Sequence, residues 1–163
     1  MEAECGSYED IESWMELVQT VRWNFPGLES QTDLDDHRNT ILRFMGERRA
    51  LCVKEHGNVI GVLLLSKKHN MICCLAVAPG YRRRGIACAL MEKALLELDR
   101  SRNITVTTFR ESDEKGTAPR ALYQKYGFEA GKLLTEYDYP LQEFVLRGRV
   151  SMGEADFSSH TKP

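Results

Sequence analysis

Ile11, Trp14, Met15, Leu17, Val18 and Val21 fall on one side of a 3.6-residue period, which predicts an amphipathic helix over about residues 7–22. NFPGLESQ (24–31) interrupts it, with Pro26 and Gly27 marking a turn. A second helix, capped by Thr32 or Asp33, carries Ile41, Leu42, Phe44 and Met45 on its apolar side. The period then drops to two. ALCVKE (50–55) and VIGVLLLS (59–66), joined by a turn at Gly57 and Asn58, predict a hairpin. MICCLAVA (71–78) is apolar on both faces, as a strand in the middle of a sheet must be. Pro79 and Gly80 end it. A long helix is expected from about Arg83, with Ala87, Leu90, Met91, Ala94, Leu95 and Leu98 as its core stripe. A strand, ITVTTF (104–109), and a polar loop, RESDEKGT (110–117), come next. A short helix then has Pro119 in its first turn and stops at Gly127. One strand region starts at Phe128 and a last strand lies within 137–146. Residues 1–150 read as one domain, with a polar tail over 151–163.

Charge adds a local feature to this pattern. Lys+Arg 22 against Asp+Glu 24 gives a net charge of -2, which offers nothing to nucleic acid. Yet Arg82, Arg83 and Arg84 stand at a helix start, where the dipole disfavours cations. An anion from outside the chain explains them better than helix stability does. A strand, a tight turn, a glycine and a helix leave first-turn N–H groups without partners, a ready phosphate site. Gly85 admits an anion closely, Ala87 nearly as well, and guanidinium groups match phosphate geometry. The competing reading is a solvated, arginine-rich helix start.

Other features narrow the setting. The longest apolar run, 71–79, is too short to span a membrane, and the acidic N-terminus MEAECGSYEDIESW lacks the pattern of a signal peptide. The chain therefore reads as cytoplasmic, with no membrane partner. Cys5, Cys52, Cys73, Cys74 and Cys88 form no C-x-x-C pair and read as small buried hydrophobes, so no metal site is expected.

LAVAPGYRRRGIACALMEKAL (75–95) resembles the acetyl-CoA signature of the GCN5-related N-acetyltransferases (GNAT), [QR]-x-x-G-x-[GA] after a V-x-P strand end. Arg82, Gly85 and Ala87 take its three defining positions. RALYQKYGFEAG (120–131) resembles the second signature of that family through Leu122, Tyr123, Lys125, Gly127 and Phe128. A P-loop would need Gly-Lys-Ser/Thr and a dinucleotide fold G-x-G-x-x-G; the chain has neither at this place. The resemblance covers about residues 50–128. It implies a single-domain GNAT fold, an α/β (α+β) domain whose mixed, mostly antiparallel sheet of six or seven strands is flanked by about four helices. It implies acetyl-CoA as cosubstrate, its pyrophosphate held across Arg82, Arg83, Arg84, Gly85, Ile86 and Ala87, and its acetyl carbonyl near Leu75, Ala76 and Val77. Tyr123 then falls where the family places its general acid. The implied acceptor is a primary amine of a small molecule or peptide, attacking the thioester directly. A homodimer through the last strand, around Phe144 to Leu146, is a possible assembly.

The chain also departs from the family pattern. Gly116 stands where the family often has asparagine, Pro119 replaces a common alanine, and Thr107 and Thr108 stand where many members carry a glutamate. The general base is therefore unassigned; His69, His56, Glu111 and Asp113 are candidates. Asp33, Asp35 and Asp36 either attract a cationic substrate or cap and solvate their helix. Trp14, Trp23 and Phe25 are core or pocket residues. Cys74 or Cys88 as an acyl carrier lacks a visible His or Asp partner. Only MEAECG is left for the family's first strand, which is expected to be short or lost. A non-catalytic acyl-CoA-binding regulatory module is the alternative function, and an anion-binding domain for another nucleotide a third.

Overall fold

Helix and strand periods resolve into two helical layers on one sheet in the computed structural model, which describes residues 1–149. The tail expected over 151–163 lies outside the described residues. In chain order the elements are β1 (Glu4–Cys5), α1 (Ile11–Val21), α2 (Gln31–Gly46), β2 (Ala50–Glu55), β3 (Asn58–Ser66) and β4 (Met71–Val77). There follow α3 (Ile86–Glu97), β5 (Ile104–Phe109), α4 (Thr117–Lys125), β6 (Glu129–Glu136) and β7 (Tyr139–Leu146). The seven strands run in the order β1-β2-β3-β4-β5-β7-β6. Only β4 and β5 are parallel. The expected mixed sheet with about four helices is therefore present, and β4 is its middle strand.

Both faces of the sheet are covered, which is why β3 and β4 read as continuous apolar runs. Leu51, Val53, Leu63 and Leu65 pack with α3 and with Tyr123 of α4 on one face. Ala50, Cys52, Val62 and Leu64 pack with α1 and α2 on the other. Trp14, 1% exposed, belongs to this second core.

Local chemistry sets the element ends. The cap of α2 is Ser30, earlier than the predicted Thr32 or Asp33: the Asp33 N–H donates to Ser30 Oγ at 3.0 Å, and the Ser30 N–H donates to Asp33 Oδ2 at 3.1 Å. That reciprocal pair is a capping box. A 3₁₀ turn over Tyr8–Asp10 occupies the start of the first predicted helix. The first strand survives as two residues, Glu4 opposite Cys52 and Cys5 opposite Leu51. Lys54 holds it from β2, with Nζ 3.0 Å from Glu4 and 3.1 Å from Asp10.

Two features bear on the centre of the sheet. β4 and β5 pair only at Met71–Thr105 and Ile72–Val106, then part. Gly61 of β3 lies under the start of α3, where an added Cβ would sit 2.5 Å from Ile86 Cγ2 and 3.2 Å from Leu90 Cδ1. Its missing side chain lets α3 come down onto the sheet. Gly61→Ala is expected to lower the unfolding free energy by about 1–2 kcal/mol through overpacking, read as a lower urea midpoint.

The last strand is not an edge. β7 lies between β5 and β6, so the homodimer expected through Phe144 to Leu146 has no free strand there. The hairpin return places β6 outside it, turning at Tyr137 and Asp138, both left-handed with φ 53 and 59.

Candidate functional site

Where β4 and β5 part, a cleft of about 1240 Å³ opens through the sheet. Leu75, Ala76 and Val77 line its β4 wall, and Thr107 and Thr108 its β5 wall. On the α3 and α4 face it reaches Gly85, Ile86 and Tyr123; on the α1 and α2 face it reaches Val18, Phe25 and His37.

The β4 wall offers amides that pair with no strand among the described residues. Strand N–H groups alternate in direction. The Ala78 N–H donates to the Ile60 C=O at 2.8 Å, so that of Ala76 also faces β3. Those of Leu75 and Val77 therefore face the opening, where β5 no longer pairs.

The turn after β4 presents a second set. Arg83 and Gly85 are left-handed, with φ 64 and 80, and α3 begins only at Ile86, later than the predicted Arg83. The backbone N–H groups of Gly85, Ile86, Ala87 and Cys88 donate to nothing among the described residues. The first internal bond runs from the Ala89 N–H to the Gly85 C=O at 3.0 Å. A Cβ on Gly85 would meet nothing within 4 Å, so the space before these amides is open. Left-handed residues beside a helix start form a concave set of donors that suits an anion. Arg82 and Arg83 line the cleft, but Arg84 does not. Its Nη2 lies 3.5 Å from Glu55 Oε1, and its guanidinium sits 5.1 Å above the Tyr81 ring. Of the three arginines named from the sequence, two therefore line the cleft, and Arg84 is turned toward the Glu55 carboxylate instead.

Tyr123 enters from α4. It is 4% exposed, with its ring centroid 5.8 Å from Phe128 and 6.2 Å from Phe144. Its hydroxyl makes no hydrogen bond among the described residues, yet it is not sealed in: the one fully buried side-chain polar atom there without a partner is Arg100 Nε. The free hydroxyl therefore opens on the cleft that the residue lines. Burial raises its pKa, with the Cys74 thiol a smaller cause, so the phenol stays protonated.

Cysteine is not the reacting group this site offers. Burial pushes Cys74 up to about 12, which keeps it a thiol. Cys88 Sγ lies 3.3 Å from Lys125 Nζ, and no His or carboxylate bonds either sulfur among the described residues. Of the five cysteines only Cys52 is buried, while Cys73 is exposed, so the small-hydrophobe reading holds for one. No group of three or more His, Cys, Asp or Glu residues is placed to hold a metal among the described residues. Nor is any helix there long and apolar enough to cross a membrane.

None of the four base candidates lines the cleft. His56, His69 and Glu111 are exposed at turns or loops. Asp113 accepts a hydrogen bond from the Tyr139 hydroxyl at 2.6 Å, in a separate and smaller pocket. His37, which sequence reasoning missed, does line it. The signal was present: His37 is three residues after Leu34 and four before Ile41, in register with the apolar stripe of α2. Asp33 and Asp36 line the cleft as well, whereas Asp35 accepts from Gln31 Nε2 at 2.9 Å outside it. Phe25 is a lining residue and Trp23, 68% exposed, is neither core nor lining. Gly116 is buried, and a Cβ there would lie 2.9 Å from Phe109 Cβ and 3.2 Å from the Arg110 carbonyl. Position 116 thus has no room for the family's asparagine.

Residues 46–130, just over half of the chain, match the family model of the acetyltransferase (GNAT) domain. Among solved structures, a GNAT-family acetyltransferase from Bacillus cereus is 21% identical, with 91% of this chain and 98% of that chain covered and a TM-score of 0.68. An N-acetyltransferase from Staphylococcus aureus is 17% identical over 89% and 100%, with a TM-score of 0.70. The ribosomal-protein-S18-alanine N-acetyltransferase of Escherichia coli is 18% identical over 92% and 96%, with a TM-score of 0.66. At these identities the structures speak for the fold alone. No curated protein sequence matches the chain. A family model matched over the two strands, the donor-rich turn and the tyrosine helix that build the cleft settles the affiliation: the chain belongs to the GNAT acetyltransferase family.

Proposed function

We propose that the protein moves an acetyl group from acetyl-CoA to a primary amine of a small molecule or peptide. One observation carries this reading: a single cleft brings together the free amides at the start of α3, the unpaired β4 amides of Leu75 and Val77, and the unpartnered hydroxyl of Tyr123. Pyrophosphate fits the first set, with Arg82 and Arg83 beside it. The second set would hold the acyl end and donate to the carbonyl oxygen as charge develops there, an effect worth about 3 kcal/mol per donor.

The amine nitrogen bonds the carbonyl carbon, the C–S bond breaks, and sulfur leaves as thiolate. Of the two protons the ammonium loses, one ends on coenzyme A sulfur and one in solvent. A free thiol has a pKa of about 8.5 and a free phenol about 10. Burial raises the phenol of Tyr123 further, so proton transfer from it to the thiolate is uphill. Tyr123 therefore acts by donating a hydrogen bond to the departing sulfur while keeping its proton.

The test is release of coenzyme A thiol by the full chain with acetyl-CoA and a panel of polyamines, amino acids, aminoglycosides and peptide N-termini. Silence across the panel sinks the transfer reading. The non-catalytic acyl-CoA-binding module has one support, the loss of the asparagine at Gly116 and the glutamate at Thr107 or Thr108. Tight calorimetric binding without turnover would select it. A finer prediction separates the arginines. Arg82→Ala with Arg83→Ala weakens acetyl-CoA binding by about tenfold or more, and less so at high salt. Arg84→Ala, removing a charge already engaged by Glu55, leaves the Kd nearly unchanged in the same titration.

A further inference from the structure

His37 stands on the α2 wall of the cleft, four residues after Asp33, on the face of the sheet away from α3. Neither ring nitrogen hydrogen-bonds another described residue, and neither is a sealed, orphaned atom. An imidazole with free nitrogens thus shares one space with Tyr123 and with the β4 amides.

The chemistry of the acceptor requires such a group. A primary amine near neutral pH is an ammonium ion, with a pKa of about 10 and no lone pair to attack with. A base works best when its own pKa lies near the operating pH. The other ionisable groups in the cleft can be sorted on that rule. Tyr123 of α4, Cys73 and Cys74 of β4 and Tyr81 after it hold their protons, burial raising the first three and Glu55 the last. Cys88 of α3 lies beside Lys125, and Tyr137 stands at the turn between β6 and β7. Lys115, before α4, is itself an ammonium. Arg82 and Arg83 are cations at the α3 turn. Asp33 and Asp36 of α2, Glu114 before α4 and Glu136 of β6 are carboxylates, ordinarily far weaker bases than imidazole. Their charge draws a cation to this arm of the cleft. Burial lowers the pKa of His37, with no carboxylate offsetting it, so the ring is neutral at pH 7.

We propose that His37 is the general base of this acetyltransferase, taking the ammonium proton of the acceptor on the α2 side of the cleft. The inference rests on the transfer reading above. A ring nitrogen bonds the proton as the N–H bond breaks. The freed electron pair stays on the amine nitrogen and forms the C–N bond to the thioester carbon. The imidazolium then gives its proton to water. Folding lowers the pKa of the ring, so activity from this group is full above the ordinary histidine value near 6.5. It is lost as pH falls through the lower, folded value.

The experiment compares wild type, His37→Gln and His37→Asn with the best-used probe amine among benzylamine, spermidine and glycinamide. His37→Gln should lower kcat/KM near neutral pH by about 100-fold. Its acetyl-CoA Kd by calorimetry should not move. The defect should shrink as pH rises and the amine arrives unprotonated, and the acid limb set by His37 should give way to one set by the amine's own pKa of about 10. A structural role would not move that limb. Wild-type activity and an intact acid limb in both variants would remove His37 while leaving transfer standing. A wild type that binds acetyl-CoA and acylates no probe removes transfer and His37 together. Should both variants fail to fold, histidine NMR titration of the wild type decides: a His37 midpoint at or above the ordinary value overturns the proposal.

Discussion

Asn70→Ala is expected to lower the unfolding free energy by about 4 kcal/mol, one of the largest losses available to a single polar substitution here. Asn70 is 1% exposed and left-handed, with φ 52. Its Nδ2 donates to the Asp99 C=O at 2.9 Å and to the Asn103 C=O at 3.0 Å, and its Oδ1 accepts from the Asp99 N–H at 2.9 Å. Alanine leaves those main-chain groups unmatched, at about 1–3 kcal/mol for each that stays buried. It also lacks the tolerance of asparagine for this backbone region, another ~1 kcal/mol. The Asn70 C=O accepts from the Thr105 N–H at 3.3 Å, beside the Met71–Thr105 pair. The side chain therefore pins the closed end of the cleft. Denaturant unfolding measures the loss. Asn70→Asp keeps the acceptor and loses both donors, so it should fall between wild type and alanine. Equal stability of all three would show that the clamp contributes nothing.

Tyr123→Phe is expected to cut the single-turnover rate of acetyl transfer by about 100-fold, equivalent to about 2.7 kcal/mol at the transition state. Acetyl-CoA affinity should hardly change, since a hydrogen bond to thiolate forms only as the C–S bond breaks. The stability prediction has the opposite sign from most core substitutions. Among the described residues the hydroxyl has no partner, so removing it orphans nothing there, and the phenylalanine should be equally stable or slightly more so. A rate unaffected by the substitution would deny the hydroxyl its role. Marked destabilisation would mean that it is bonded within the fold. Because burial raises the phenol's pKa and the protonated form is the donor, no alkaline loss from Tyr123 should appear below the ordinary value near 10.

Local periodicity carried much of the architecture. The stripe from Ile11 to Val21, the two-sided run of β4 and the hairpin of β2 and β3 all stand where the residues predicted them. Element ends were harder, because they depend on single interactions: Ser30 reaching Asp33, or Gly85 holding a left-handed turn. A strand of two residues shows no period, so β1 becomes visible only through its pairing with β2. Strand order is a long-range property, and nothing within residues 139–146 says that β6 folds outside them. The site divides in the same way. Arg82, Gly85, Ala87 and Tyr123 belong to contiguous motifs and were legible. Arg84 looked equivalent to its neighbours until Glu55, 29 positions away, was seen to engage it. His37 reaches the cleft only because α2 packs beside α1 on the same face of the sheet, a juxtaposition that no short segment encodes.

The junction of β4 and β5 has a mechanical meaning. Two residue pairs stitch a four-strand plate to a three-strand plate, and past Ile72 the seam is unsewn. Its loose edge still carries peptide dipoles at the regular spacing of a ladder. An extended molecule bearing amides at matching intervals would meet there the same hydrogen-bonding geometry that joins the seven strands.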